Sequence, residues 1–115
     1  MAVTLDDVAA MALGLPETAE VVTWEVERTF RTRNKIFVMG APESPAVSVK
    51  TSLAEQHELC ASDPETFSVS PYTGRFGWTR IELSRVDPGE LAELIIEAWR
   101  RTATRKAVAG YDASR

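Results

Sequence analysis

Apolar positions along this chain recur with two different periods. Leu5, Val8, Ala9 and Ala12 follow helical spacing. Thr4 precedes them as a cap, with Asp7 three residues on as its capping-box partner, and Gly14 and Pro16 end the segment. A short helix with one apolar face is predicted. From Val21 the period falls to two: Val22, Trp24 and Val26 alternate with Thr23, Glu25 and Glu27, and Phe30 extends the pattern. That alternation predicts one half-buried strand. A second strand carries Ile36 and Val38 on one side and Lys35, Phe37 and Met39 on the other. Asn34 tolerates positive φ and is placed to make the hairpin turn between the two. After a loop over residues 40–45, Ala46, Val47, Val49 and Thr51 predict a third strand.

Ser52 and Glu55 form a second capping box and start a helix through Leu53, Gln56, Leu59 and Cys60. Phe67 to Ser70 reads as extended, residues 71–77 as a turn-rich loop, and Gly77 to Ser84 as a last strand around Trp78, Ile81 and Leu83. Asp87-Pro88-Gly89-Glu90 is the strongest helix start in the chain. Leu91, Leu94, Ile95, Ala98 and Trp99 form its buried stripe. Arg100, Arg101, Arg105 and Lys106 load the C-terminal turns with positive charge, where the helix dipole favours it. Gly110 closes the ordered part, and 111–115 is expected to be a flexible tail. The order helix, three strands, helix, one or two strands, helix implies an α+β fold. The expected form is an antiparallel sheet of about five strands with the helices mainly on one face.

At 115 residues, 44% apolar and 26% charged, the chain is sized for a single domain, 1–115, that buries a core. The formal net charge of −4 counts against wrapping nucleic acid non-specifically, because phosphate contacts supply most of that affinity. It leaves room for a local basic patch. Cys60 is the one cysteine, so no internal disulfide is possible, which suits a reducing compartment. The first residues lack the basic start and apolar run of a secretory signal, and no stretch approaches the ~20 apolar residues of a membrane span. A cytoplasmic location without a membrane partner is expected.

Catalytic and metal chemistry find little purchase. His57 and Cys60 stand three apart on a helix, but a zinc site needs three or four protein ligands and there is no second His or Cys. A core cysteine with a histidine at the edge is the plainer reading. There is no Gly-x-Ser-x-Gly, and the single His lacks a triad partner. Asp6-Asp7 and Glu25/Glu27 read as solvated acids. No metal, cofactor or catalytic residue is assigned. Positive charge does cluster: Arg28, Arg31, Arg33 and Lys35 along the first hairpin, and Arg75 and Arg80 near Tyr72 and Trp78. Two such β wings can track phosphates; they can equally be solvated faces whose Arg stems cover apolar surface. Trp24, Trp78 and Trp99 all fall at apolar-periodic positions and read as core.

Three segments carry a family resemblance: Trp24 to Phe37 (WEVERTFRTRNKIF), Pro71 to Ile81 (PYTGRFGWTRI) and Glu90 to Arg100 (ELAELIIEAWR). Together with Leu15-Pro16-Glu17 and Val49-Lys50, they resemble the MmcQ/YjbR family over nearly the whole chain. The resemblance implies a compact α+β fold, likened to CyaY and to a double-wing DNA-binding domain, and DNA as a partner. The family's shared motifs fall on Trp24, Phe30, Arg31, Lys35, Lys50, Pro71, Tyr72, Gly74, Arg75, Gly77 and Trp78. Glu25 and Asn34 stand where the family usually has Gly. From these positions Arg31, Lys35, Lys50, Arg75 and Arg80 are expected to contact an anion, with Tyr72 and Trp78 stacking on a base or packing. The alternative is a non-enzymatic module that binds a protein or a small anionic ligand.

Overall fold

The computed structural model describes residues 2–23 and 26–115; Met1, Trp24 and Glu25 lie outside the described residues, and with them the core reading of Trp24 and the solvated-acid reading of Glu25. The chain opens with helix α1, Leu5–Leu13, followed by strands β1 Thr18–Thr23, β2 Glu27–Thr32, β3 Lys35–Gly40 and β4 Ala46–Lys50. Helix α2, Leu53–Ser62, leads to β5 Phe67–Val69, a 3-10 turn Gly74–Phe76 and β6 Trp78–Glu82. Helices α3, Pro88–Thr102, and α4, Arg105–Ala113, finish the chain.

The strands form one antiparallel sheet in the order β1-β2-β3-β4-β6-β5. Residues opposite one another across antiparallel strands share a face. One face carries Phe30, Val38, Val49, Val47, Ile81 and Phe67, all buried. Helix α3 lies on it, presenting Leu91, Leu94, Ile95, Ala98 and Trp99, and α1 packs beside α3 with Val8, Ala9 and Ala12. Each large apolar side chain so covered contributes about 1.5–3 kcal/mol relative to exposure. Among the described residues no helix lies on the other face.

The sheet has six strands because the alternating run from Val21 to Phe30 is two strands, not one. The chain reverses between Thr23 and Glu27, and Thr23 pairs with Glu27. Alternation continues in phase through such a reversal, so the period alone hides it. Val22 and Val26, predicted half-buried, are 55% and 58% exposed. The β2–β3 turn falls where expected, with both Arg33 (φ 55°) and Asn34 (φ 60°) left-handed, as a two-residue hairpin turn of the mirror-image type requires. A register shift at Phe30/Arg31 makes Phe37 an extra residue on β3, so Phe37 and Val38 are both fully buried.

The caps at Thr4, Ser52 and Asp87 accept hydrogen bonds from the backbone N–H of Asp7, Glu55 and Glu90 respectively. The C-terminus departs from expectation. Helix α3 stops at Thr102, and Thr104 caps a separate helix by accepting from the Ala107 N–H. Residues 111–113 are therefore helical rather than a free tail. Tyr111 meets the buried Trp99 edge to face at 5.3 Å between ring centroids, and Asp112 accepts two hydrogen bonds from Arg100 at 2.7 and 3.0 Å. That pair holds the Asp112 carboxyl below the usual carboxylate range.

Candidate functional site

The open face of the sheet is built by strand register. One row of side chains runs straight across it: Val21, Thr29, Met39, Ser48, Arg80 and Ser68. Moving two residues along each strand in one direction reaches Glu27 on β2, Ala46 on β4 and Glu82 on β6. Moving the other way, by three residues on the bulged β3 and two on the others, reaches Arg31 on β2, Ile36 on β3, Lys50 on β4 and Trp78 on β6. The face is graded, acidic at one end and basic and aromatic at the other. Arg31 and Lys50 flank β3, about 10 Å apart in strand spacing.

Residues 71–77 form a loop at the basic end. Pro71 lies against the open face, where it shares a shallow concavity of about 110 Å³ with Glu27, Met39, Ser48 and Arg80. Ser70, buried, exchanges a hydrogen bond with Ser48 at 2.9 Å. The Gly74 N–H donates to the Ser70 carbonyl at 2.9 Å, and the buried amide of Gln56 donates to the carbonyls of Gly74 and Trp78 at 2.9 and 2.8 Å. Lys50 Nζ donates to the Phe76 carbonyl. Gly77 takes φ 98°, and its carbonyl accepts from both the N–H and the hydroxyl of Thr51. The loop is held at both ends by the scaffold.

On this held loop Tyr72 points outward. It is 96% exposed, and its backbone is left-handed at φ 63°, a conformation that costs a residue with a Cβ about 1 kcal/mol or more. Phe76 is 57% exposed, with the Arg75 guanidinium 4.8 Å from its ring centroid. Phe76 is a residue the sequence reading passed over; its setting between Gly74 and Gly77 in a turn was the signal that it had no strand face to hide on.

The structure gathers most of the expected residues and separates one. Lys50, Trp78 and Arg80 are neighbours on the open face, Arg31 shares that face two strands away, and Tyr72 and Arg75 border it on the loop. Lys35 is at the same end but opposite Thr32, on the face that carries Phe30 and the helices. Trp78 is half-buried on the open face, which corrects its reading as core, whereas Trp99 is fully buried core. The cations also differ in freedom. Arg31 donates to Thr29 Oγ1 at 3.1 Å, Arg80 lies 3.5 Å from Glu82, and Lys50 is committed to the loop carbonyl. Arg28 of the first hairpin is on the helix face, bonded to Glu20 at 2.7 Å and Asp6 at 2.9 Å. These bonds push its own pKa up and hold the Glu20 carboxyl below its usual value. Arg33 reaches the Thr102 carbonyl at the end of α3.

Elsewhere, His57 is exposed on α2, and Cys60 is half-buried against the core, with burial raising its thiol pKa. Among the described residues no three His, Cys, Asp or Glu side chains converge, and no helix is long and apolar enough to cross a membrane.

An antiparallel sheet with its helices on one face and a charged, partly aromatic open face defines a small α+β protein. Residues 13–101 match the YjbR family, and the chain belongs to it. It is 27% identical over 122 residues to the uncharacterized protein Rv2570 of Mycobacterium tuberculosis, covering 94% of this chain and 95% of that one. The uncharacterized protein Mb2600 of Mycobacterium bovis matches to the same extent. The crystal structure of the Deinococcus radiodurans protein DR2400, with a DUF419 domain, superposes with a TM-score of 0.77 at 17% identity, covering 84% of this chain and 75% of that one. At that identity the likeness speaks for the fold alone.

Proposed function

We propose that this chain is a small, non-enzymatic, cytoplasmic nucleic-acid-binding protein. In this reading it contacts a single strand of DNA or RNA through the basic end of its open sheet face and the loop over residues 71–77. The observation that carries the reading is Tyr72: an aromatic ring almost wholly in solvent, on a left-handed backbone, on a loop tied down at both ends. A large apolar ring held outward in this way is a stacking surface, and base–aromatic stacking contributes about 1–3 kcal/mol per base. Phe76 and Trp78 offer further rings, and Arg31, Arg75 and Arg80 offer phosphate partners close by. A single strand fits better than a duplex, because splayed bases can lie on a sheet and a loop. The acidic end at Glu27 and Glu82 repels a long phosphate backbone. This narrows the expectation of two basic wings to one working end of the sheet, without Lys35.

The test is fluorescence anisotropy of labelled single-stranded and duplex oligonucleotides at low and physiological salt. Single strands are expected to bind more tightly, with affinity falling linearly in log salt. Tyr72→Ala is expected to weaken binding about tenfold or more, and Lys35→Ala to leave it nearly unchanged. No binding to any oligonucleotide at low salt sinks the proposal. It would favour instead a protein-binding role for the same face, since the concavity at Arg80, about 110 Å³, is small for a metabolite site.

A further inference from the structure

The two edges of the sheet are unequal. β5 has three residues and packs beside α2, so it offers little backbone to another strand. β1 has six residues and pairs with β2 along its whole length without a register shift. Natural edge strands are usually blunted by Pro, Lys or a bulge. Thr18-Ala19-Glu20-Val21-Val22-Thr23 has none of these, and Ala19, Val21 and Val22 are exposed. Its one charge, Glu20, is already neutralised by Arg28 on the adjacent strand.

We propose that β1 is an interaction edge that pairs antiparallel with β1 of a second copy of this chain, about a two-fold axis through Val21 and perpendicular to the sheet. The register follows from the backbone. The Val21 carbonyl accepts from Thr29 Oγ1 on β2 at 2.6 Å, so it faces into the sheet. Inward and outward groups alternate along a strand, so Glu20 and Val22 turn their N–H and C=O outward. An axis at Val21 sets Glu20 opposite Val22 of the second copy, and Val22 opposite Glu20, as two hydrogen-bonded pairs. It also sets the two exposed Val21 side chains together on the open face. An axis at Glu20 opposes two carboxylates, and an axis at Val22 shortens the paired stretch of β1 to Val21–Thr23. A second copy is the occupant because this strand is self-complementary in that register and β5 cannot receive β1. Head-to-tail growth is therefore blocked and the two-fold pair closes. The result is one continuous sheet with both helix layers on the same side.

The experiment is the mass of the full chain by size-exclusion chromatography with light scattering, together with three variants. The parent is expected at twice 12.7 kDa, and Val21→Lys, which brings two ammonium groups together at the axis, at the single mass with an unchanged circular dichroism spectrum. In a Cys60→Ser background, Val21→Cys is expected to form a covalent dimer on mild oxidation, while Val22→Cys, offset from its own copy, is not. A parent that stays monomeric at its highest soluble concentration, a mass above the dimer, or a dimer indifferent to Val21→Lys overturns the proposal. If Val21→Lys does not fold, the cross-linking pair decides: equal cross-linking at both positions, or none at Val21→Cys, overturns it.

Discussion

Replacing Gly77 by Ala tests how the scaffold holds the loop that carries Tyr72. Gly77 sits at φ 98°, where an L side chain costs about 1 kcal/mol. A Cβ there would overlap the Thr51 carbonyl oxygen, which is backbone and cannot swing aside, so the loop itself must move. That movement loosens two hydrogen bonds to the Gly77 carbonyl, from the Thr51 N–H at 2.9 Å and its hydroxyl at 2.7 Å. Thr51 is buried, so each bond is worth about 1 kcal/mol. The sum is a destabilisation of about 3 kcal/mol, which lowers the thermal midpoint by about 10–15 °C in a chain of this size. Gly110→Ala supplies the control. Gly110 lies inside α4, a Cβ there meets nothing within 4 Å, and alanine is a better helix former by about 1 kcal/mol. The same substitution should therefore raise the midpoint at 110 and lower it at 77. Thermal denaturation followed by circular dichroism reads both. A Gly77→Ala protein within about 1 kcal/mol of the parent would refute the reasoning. The added Cβ also lies 3.6 Å from Lys50 Nζ, so oligonucleotide affinity should fall in the same variant.

Two further outcomes are expected. Trp99→Phe removes the indole N–H that donates to the Pro16 carbonyl at 3.0 Å and thins the contact of this fully buried side chain with the half-buried Tyr111; urea denaturation should show a loss of about 2–3 kcal/mol, with faster amide exchange in α4. The Glu20 carboxyl, held below its usual 4.5 by the hydrogen bonds from Arg28, contributes its stabilisation fully above that pH and loses it as pH falls through the lower folded value. The urea midpoint should therefore drop with acid below about pH 4.5. Arg28→Ala should reduce that drop by about 0.5–1 kcal/mol, and an unchanged acid limb would contradict the pairing.

Much of the fold is legible in the residues themselves, because helix starts and strand faces are local. Thr4, Ser52 and Asp87 cap where their spacing predicts, since a side-chain oxygen reaches the N–H three residues on whatever the rest of the chain does. The stripe Leu91–Trp99 is buried as its period demands. The motif residues also mark the family directly. The pairing of Thr23 with Glu27 and the break between α3 and α4 are not legible. Alternation passes unchanged through a hairpin, and at Ala103-Thr104 the local Thr104 cap is joined by long-range packing of Tyr111 and Asp112 on Trp99 and Arg100.

The sequence by itself determined the class of fold, the caps, the core stripe and which residue types cluster near the two loops. Only the tertiary structure decided which of those residues share a surface. Face and neighbour depend on register between strands far apart in the chain: β4 pairs with β6 rather than β5, which sets Lys50 beside Trp78 and Ser48 beside Arg80, and the hairpin places Lys35 on the opposite side from Arg31. A one-residue slip would exchange those faces, and nothing in the local pattern of charges specifies the slip. The buried side chains do, through the volume they must fill together.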